Sequence, residues 1–170
     1  ITDPLNHTTT FVYDAAGHVI KKQTPNLAQS DQWIVYTYDA FGRLTYIDYP
    51  DDTYASFAYD ANGNRTRAQN QNATFVYQYD RLNRIFQFTD QTLNKTIKYQ
   101  YDLAGNRTQM TDPENNVITY AYDANNRCTE IKRNGSLVAS FEYDAAGKRT
   151  KKTLGNGCYT TYAYNDAGRL

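Results

Sequence analysis

The sequence is poor in the residues that usually build a protein core. Its 170 residues include only 9 Leu, 8 Ile, 6 Val and 7 Phe, which together make up about 18% of the chain. A content this low is typical of disordered proteins when it accompanies a large net charge. Here 18 basic residues balance 18 acidic ones, and 17 tyrosines are present. Because a tyrosine ring buries a large area while its hydroxyl stays near water or a partner, we predict a folded chain with tyrosine as its main apolar material.

Other scarcities exclude whole classes of protein. Two cysteines are too few for a disulfide-rich scaffold. The chain has no run of 18 apolar residues, so we expect no membrane span in this segment. The balanced charge argues against a dedicated nucleic-acid-binding domain, which is normally basic. The chain also begins without a methionine or a signal-peptide pattern and stops inside a repeat. We therefore expect it to be a fragment of a longer protein.

What the sequence does contain is one motif written eight times. Each copy has an aromatic residue, a tyrosine two positions later, then Asp or Asn, and finally Gly or Asn four positions after the tyrosine. The tyrosines are Tyr13, Tyr38, Tyr59, Tyr79, Tyr101, Tyr122, Tyr143 and Tyr164. The preceding aromatics are Phe11, Tyr36, Phe57, Tyr77, Tyr99, Tyr120, Phe141 and Tyr162. The closing residues are Gly17, Gly42, Gly63, Asn83, Gly105, Asn126, Gly147 and Gly168. Such regular self-similarity predicts a repeat fold.

The motif predicts a strand that ends in a tight turn. An aromatic-x-tyrosine pair places two rings on the same face of a strand, because strand side chains alternate. The aspartate then starts a type I turn, where its carboxylate accepts backbone N–H groups. Gly and Asn are the residues that best tolerate the left-handed conformation required at the fourth position. This combination is the three-residue hairpin with a bulge.

A second strand and a second turn complete each repeat. Turn signals lie at residues 50–52, 112–115, 134–135 and 155–157. Among them, Asn134-Gly135 is typical of a type I′ hairpin. The longest gap between motifs predicts an extended loop from Thr24 to Gln32. Thr, Tyr and Asn dominate and no 3.6-residue apolar stripe persists. We therefore expect no helix longer than a single turn.

The motif resembles the YD repeat of the Rhs, or rearrangement hotspot, family, as seen in Phe57, Tyr59, Asp60, Gly63 and Arg65. The resemblance covers nearly the whole chain. The family includes bacterial polymorphic toxins, the C components of insecticidal Tc toxins, wall-associated bacterial proteins and animal teneurins. In that family, many hairpins form a continuous, spiralling antiparallel sheet that closes into a hollow shell, and in the toxins this shell encloses a C-terminal toxic domain.

The resemblance implies an all-β fold, in which tandem β-hairpin YD repeats form a curved, spiralling antiparallel sheet. We expect residues 1–170 to be one array of eight repeats of about 21 residues and an open strip of an Rhs-type shell. Its terminal edges would need flanking repeats, caps or another copy of itself. The implied function is encapsulation of a C-terminal toxin or effector, in a secreted or cell-surface protein. The alternative is a surface module for adhesion or carbohydrate binding, in which exposed tyrosines stack on sugar rings.

The sequence offers no candidate catalytic, cofactor-binding or metal-binding residue. Asp60, Asn62 and Asn64 imitate the start of a calcium loop, but the glycine is at position 63 and the twelfth position is Gln71 rather than Glu. We therefore interpret the motif aspartates as turn caps. His7 and His18 are not in a metal-ligand spacing, and no nucleophile–base motif is present. These features predict a protein that is not an enzyme.

Basic residues recur after the turns and interleave with the aromatics. They are Arg43, Arg65, Arg84, Arg107, Arg127, Arg149 and Arg169. Such a pattern is also found in platforms for single-stranded nucleic acid. We favour exposed ion pairs with the aspartates of the same hairpin ends, each contributing about 0–1 kcal/mol, and we expect no nucleic-acid partner. Cys128 and Cys158 are separated by three strand steps in a simple meander, roughly 14 Å, so we predict that they are not bridged.

Overall fold

The computed structural model describes residues 1–165 and 167–169, and half of them lie in β-strands. The first seven strands are β1 (Thr10–Tyr13), β2 (Val19–Gln23), β3 (Ile34–Tyr38), β4 (Leu44–Asp48), β5 (Tyr54–Tyr59), β6 (Arg65–Asn70) and β7 (Thr74–Tyr79). The others are β8 (Ile85–Asp90), β9 (Lys95–Tyr101), β10 (Arg107–Thr111), β11 (Val117–Tyr122), β12 (Cys128–Arg133), β13 (Ser136–Tyr143), β14 (Arg149–Leu154) and β15 (Tyr159–Thr161). A short helix, α1 (Pro25–Ala28), lies between β2 and β3.

The chain forms two compact units. The first contains Ile1–Arg84 and Thr89–Asn94, and the second contains Ile85–Phe88 and Lys95–Leu170. In the first unit, β1 to β7 form a meander in which each strand pairs antiparallel with the next. In the second unit, β9 to β15 do the same. The prediction of an all-β fold made of tandem antiparallel hairpins is therefore confirmed.

The register of these pairs gives each unit an aromatic face and a polar face. The aromatic face includes Ile34, Tyr36, Ile47, Ala55, Phe57, Ala68 and Phe75 in the first unit and Tyr99, Met110, Ile118, Tyr120, Ile131, Ala139 and Phe141 in the second. The polar face includes Thr37, Tyr46, Ser56, Gln69 and Thr74 in the first unit and Gln109, Thr119, Glu130, Lys132, Ser140, Glu142 and Lys151 in the second. Strand alternation thus sorts the side chains by polarity.

A central core is absent from the described part of the chain. Ala139, at 5% exposure, is the one buried hydrophobic residue among the described residues, and the rings of the aromatic face are mostly half-buried. Each strand therefore gains its stability from its immediate neighbours, as in other repeat proteins. Cross-strand pairs of this kind contribute about 0.2–1 kcal/mol each.

The connections opposite the YD turns also follow their sequence signals. Asn134 and Gly135 have φ angles of 49° and 82°, as the predicted type I′ turn requires. The predicted loop after β2 is present, and α1 adds a single helical turn to it, beginning at Pro25. Cys128 opens β12 and Cys158 directly precedes β15, so two whole strands lie between them and both thiols are free. No helix in the described residues is long and apolar enough to cross a membrane.

Candidate functional site: the YD turns and the aromatic face

The aspartate of each YD motif organises its turn, as the turn at Asp60 illustrates. The backbone N–H of Asp60 donates to the carbonyl of Asn64 at 3.0 Å, and the N–H of Gly63 donates back to the carbonyl of Asp60 at 3.1 Å. The Oδ1 atom of Asp60 accepts the backbone N–H groups of Asn62 and Asn64 at 3.0 and 2.9 Å. Gly63 closes the turn with a φ of 89°. This is the predicted three-residue hairpin.

All eight motifs share the left-handed residue at the fourth position of the turn. Asn83 and Asn126 have φ angles of 60°, and the six glycines have φ angles between 74° and 91°. A register shift at the tyrosine accompanies the turn, for example between Ala58 and Tyr59. Asn tolerates this conformation because its short polar side chain bonds locally. The prediction that Gly and Asn take the left-handed conformation at this position is confirmed.

The carboxylate of Asp60 is occupied by hydrogen bonds within its own turn. Its Oδ2 atom accepts the Asn64 side-chain amide at 3.0 Å, while Oδ1 accepts the two backbone groups. The hydrogen bond from the Asn64 side-chain amide is the main cause that holds the pKa of the Asp60 carboxyl below its ordinary value. Hydrogen bonds from backbone N–H groups lower this pKa further. Within the part of the chain that the structure describes, no cluster of three His, Cys, Asp or Glu side chains is arranged to hold a metal.

His7 and His18 occupy the position in the turn that arginine takes elsewhere. Each lies four residues after an aspartate, and its Nδ1 atom is 3.0 Å from Oδ2 of Asp3 or Asp14. The His18 ring also stacks on Tyr38, with ring centroids 4.8 Å apart. The hydrogen bond from His18 is the main cause that lowers the pKa of the Asp14 carboxyl. Both histidines therefore extend the capping pattern.

The second aromatic of the motif is a tyrosine in all eight repeats, and its hydroxyl explains why. Tyr143 Oη donates to the backbone carbonyl of Cys128 at 2.7 Å, and Tyr122 Oη donates to that of Arg107 at 3.0 Å. In each case the carbonyl belongs to the fifth residue after the aspartate of the preceding repeat. The same bond joins Tyr38 to Val19, Tyr59 to Leu44, Tyr79 to Arg65, Tyr101 to Ile85 and Tyr164 to Arg149.

This tyrosine bond links every repeat to the one before it. The bulge interrupts the backbone ladder beside the turn, and the hydroxyl supplies a donor there. Phenylalanine has no such donor, whereas the first aromatic of the motif is Phe in three repeats, at Phe11, Phe57 and Phe141. Sequence reasoning placed both rings on one face but did not distinguish them. The signal that separates them is the absence of Phe from the second position.

The arginines that follow the turns fall into two classes, of which the first behaves as predicted. Arg43, Arg84 and Arg127 are the fourth residue after the motif aspartate, and each pairs with that carboxylate at 2.6–2.8 Å. Arg43 and Arg127 also contact the next hairpin. Arg43 donates to the carbonyl of Asp60 at 3.0 Å, and Arg127 donates to that of Asp144 at 3.2 Å. These arginines therefore stabilise their own turn and connect it to its neighbour.

For the second class, the predicted pairing with the aspartate row is wrong. Arg65, Arg107 and Arg149 are the fifth residue after the aspartate, so strand alternation directs them onto the aromatic face. Each guanidinium lies between the first aromatics of two successive repeats, at 4.8–5.9 Å from the ring centroids. In the described residues, no carboxylate lies within ion-pair distance of these three arginines.

The two classes alternate along the chain. Arg65, Arg107 and Arg149 are spaced by 42 residues, twice the length of one repeat. Where arginine is the fourth residue after the aspartate, the fifth residue after it is apolar, as at Leu44 and Ile85. The intervening turns at Asn64 and Asn106 use an amide instead, which donates to Oδ1 of Asn83 and Asn126 in the next turn at 2.7 and 2.8 Å. Sequence reasoning grouped all the arginines together, although this one-residue offset is visible in the sequence.

Comparisons with known proteins agree with this architecture. The whole chain, residues 1–170, matches the family model described as the teneurin YD-shell. None of the curated proteins matches it. Among solved structures, it resembles a Tc holotoxin pore from Photorhabdus luminescens, with 14% sequence identity and a TM-score of 0.54. It also resembles the TcdB2–TccC3 complex, with 15% identity and a TM-score of 0.52, and the TcdB2–TccC3–Cdc42 complex, with 14% and 0.51.

The aligned regions define how far these likenesses extend. They cover 95–96% of this chain but only 12–13% of the solved chains, and at this level of identity they concern the fold. The family model, in contrast, matches every residue from 1 to 170. The chain therefore belongs to the teneurin YD-shell family and is a structural repeat segment of such a shell.

Proposed function

We propose that this chain is a non-catalytic part of the wall of a YD shell that encloses a toxin or effector cargo, encoded C-terminal to it in the same protein. The observation that carries the proposal is the linkage between successive repeats. Each motif tyrosine from Tyr38 onward bonds to the backbone of the preceding repeat. Such a repeating link lets a sheet extend indefinitely from neighbour to neighbour without a central core, which is what a wall requires.

The chemistry of the turns supports a structural role rather than catalysis. The most regular polar groups of the chain are the motif aspartates, and their oxygens accept hydrogen bonds from their own turns, as at Asp39, Asp80 and Asp123. A general base needs a free lone pair within reach of a substrate proton. The lone pairs of these carboxylates instead accept hydrogen bonds that stabilise the hairpin turn. We propose accordingly that residues 1–170 form one repeat array within a longer chain that is secreted or displayed at the cell surface.

The experiment uses the natural full-length protein that contains this chain. The protein is treated with a broad-specificity protease, in parallel with its C-terminal region expressed alone. Encapsulation predicts that the C-terminal region survives in the full-length protein and is degraded when alone. Equal degradation in the two samples would overturn the proposal. As a control, a full-length variant with Tyr122→Ala and Tyr143→Ala, which removes two inter-repeat links, should lose this protection.

A second function, carbohydrate recognition at a surface, is favoured by one feature of the polar face. Tyr46 and Tyr54 stack with centroids 5.6 Å apart and ring planes 11° apart, and Gln69 donates to the Tyr54 hydroxyl at 3.0 Å. Paired aromatic rings beside an amide are suited to contact with a sugar ring. Binding on a glycan array that is lost in the Tyr46→Ala, Tyr54→Ala variant would favour this function. Tyr159→Ala, at a tyrosine that is 66% exposed, is the matched control.

A further inference from the structure

The two faces of the second unit differ in their charged residues. Arg107 and Arg149 lie on the aromatic face of the second unit, as does Lys152, which pairs in register with Phe141. The acidic residues Glu130 and Glu142 lie instead on the polar face. That face is balanced, because Lys132 pairs with Glu130 at 2.7 Å and Lys151 with Glu142 at 3.4 Å. The positive charge of the aromatic face is therefore uncompensated by these carboxylates.

Aromatic rings position the guanidinium groups of both arginines. Arg107 lies 5.6 Å from the Tyr99 ring and 4.8 Å from the Tyr120 ring, and its Nη2 atom is 3.3 Å from the Tyr120 hydroxyl. Arg149 lies 5.0 Å from the Phe141 ring. Flanking rings hold a guanidinium through cation–π contact. A guanidinium has five N–H donors, so a bond to one hydroxyl leaves others that bind a carboxylate. Both arginines are exposed.

We propose that the aromatic face binds extended acidic polypeptide segments, with Arg107 and Arg149 as the carboxylate-binding residues and the flanking rings as contacts for apolar side chains. The inference rests on the proposed function only in taking a polypeptide as the occupant. Before folding, a cargo chain exposes both apolar and acidic side chains, and this face offers complementary groups to both.

The strand positions define the spacing of the acidic groups. Arg107 is in β10 and Arg149 is in β14, four strand steps apart, which is roughly 19 Å at about 4.8 Å per step. An extended peptide that crosses the strands advances about 3.3 Å per residue. Carboxylates about six residues apart therefore match both arginines.

Nucleic acid fits this face less well. Its affinity comes mainly from many closely spaced phosphate contacts and depends on an excess of basic residues. This chain has a net charge of zero, and the arginines that lie between the first aromatics of two successive repeats are 42 residues apart. Sparse arginines between aromatic rings match the lower charge density of an acidic polypeptide.

The test measures binding of a fluorescein-labelled peptide of Ser, Gly and Tyr that carries two Glu-Glu pairs about six residues apart. We expect binding to the whole chain that weakens at least about tenfold in the Arg107→Met, Arg149→Met variant, because both charge-assisted contacts are lost. The matched control is Lys98→Met, which removes an exposed positive charge from β9. This control should change the affinity less than about twofold.

Further arms separate the alternatives. A peptide with Lys-Lys pairs should not bind, and oligothymidylate and heparin should bind more weakly than the acidic peptide. Equal affinity in the double Met variant would overturn the proposal, and so would tighter arginine-dependent binding of oligothymidylate or heparin. Circular dichroism checks the fold of each variant. If the Met variant does not fold, the Arg107→Lys, Arg149→Lys variant keeps the charge but not the bidentate geometry, and it should lose part of the affinity.

The outcomes for this surface and for encapsulation are separable. If the C-terminal region of the full-length protein is not protected from protease but the peptide still binds through the arginines, encapsulation fails and this inference stands. If protection is intact but peptide binding does not depend on the arginines, only this inference fails.

Discussion

The two ends of each hairpin differ in how strictly they are built. At the YD ends, every turn has the same length, the same left-handed fourth residue and the same aspartate or asparagine cap. The opposite ends vary. They include the loop with α1, a two-residue turn at Asn134-Gly135 and a five-residue turn from Asp112 to Asn116. The same protein therefore tolerates variation at one end of its strands and not at the other.

Capping alone does not explain this difference. Asp112, at an opposite end, accepts the backbone N–H groups of Glu114 and Asn116 at 3.0 and 2.8 Å, just as the motif aspartates do in their turns. The opposite ends also have links between neighbouring turns, since the Asn134 side-chain amide donates to Oδ1 of Asn116 at 2.9 Å. What the YD ends add is one link that recurs from repeat to repeat, the tyrosine hydroxyl bond. The tyrosine hydroxyl, the first class of arginine and the amides of Asn64 and Asn106 all act there. The uniform ends are therefore the ones at which the same contact between repeats recurs each time.

The largest effect is expected from removal of a whole tyrosine at a YD end. Tyr143→Ala should lower the free energy of unfolding by about 2–3 kcal/mol, because a half-buried ring and its hydrogen bond are both lost. Leu154→Ala, at an opposite end where the side chain is 39% exposed, should cost less than about 1 kcal/mol. Urea denaturation measures both values. Equal losses would mean that the two ends are equally important for stability.

The next effect compares two asparagines that share a conformation. Asn126 at a YD end has a φ of 60°, and Asn115 at an opposite end has a φ of 65°. Substitution of either by Val should cost about 1–2 kcal/mol, because a β-branched residue is strained there. Substitution by glycine should affect the two positions differently. Asn126→Gly still loses the bond from Asn106, about 0.5–1 kcal/mol, whereas Asn115→Gly should be close to neutral in the same denaturation experiment.

A smaller effect isolates the tyrosine hydroxyl. Tyr143→Phe keeps the ring but removes the donor to the Cys128 carbonyl, and it should cost about 0.5–1.5 kcal/mol. Tyr99→Phe is the control, because the equivalent position is already Phe at Phe57 and Phe141, and its effect should be near zero. If both substitutions have the same effect, the hydroxyl bond does not account for the tyrosine of the motif.

The last prediction concerns the loss of stability in acid. We expect an aspartate at a YD end and one at an opposite end to contribute to this loss in the same direction. The hydrogen bond from Asn106 is the main cause that lowers the pKa of the Asp102 carboxyl. For Asp112, burial opposes the shift, but hydrogen bonds led by that of Asn116 still lower the pKa. A lowered pKa means that these groups stabilise the fold above the ordinary value of 3.8 and lose this contribution as the pH falls through the lower folded-state value.

Melting curves between about pH 6 and about pH 2.5 test this directly. Asp102→Asn and Asp112→Asn should each reduce the drop in melting temperature on acidification, since an amide does not titrate. Asn165 shows that an amide serves in this position, because its Oδ1 atom accepts the N–H of Arg169 at 2.9 Å. An unchanged acid response in either variant would mean that this carboxylate does not contribute to acid unfolding.

Much of the fold could be predicted because its signals are local. The aspartate that caps a turn and the left-handed residue that closes it lie within a few positions of each other, so the sequence pattern contains both partners. The candidate site could be predicted only in part. Arg43 and Asp39 were matched correctly because they belong to one turn. Arg107 was assigned to the wrong partner because one of its two rings, Tyr120, belongs to the following repeat.

By itself, the sequence determined the number, position and type of the YD turns, the strand order within each unit and the face that carries the rings. These properties depend on the alternation of strands and on backbone conformations that only a few residue types accept. The tertiary structure decided the role of the second tyrosine and the partners of the two classes of arginine. The Cys128 carbonyl that accepts the Tyr143 hydroxyl lies fifteen residues away along the chain, so only the pairing of strands brings the two groups together.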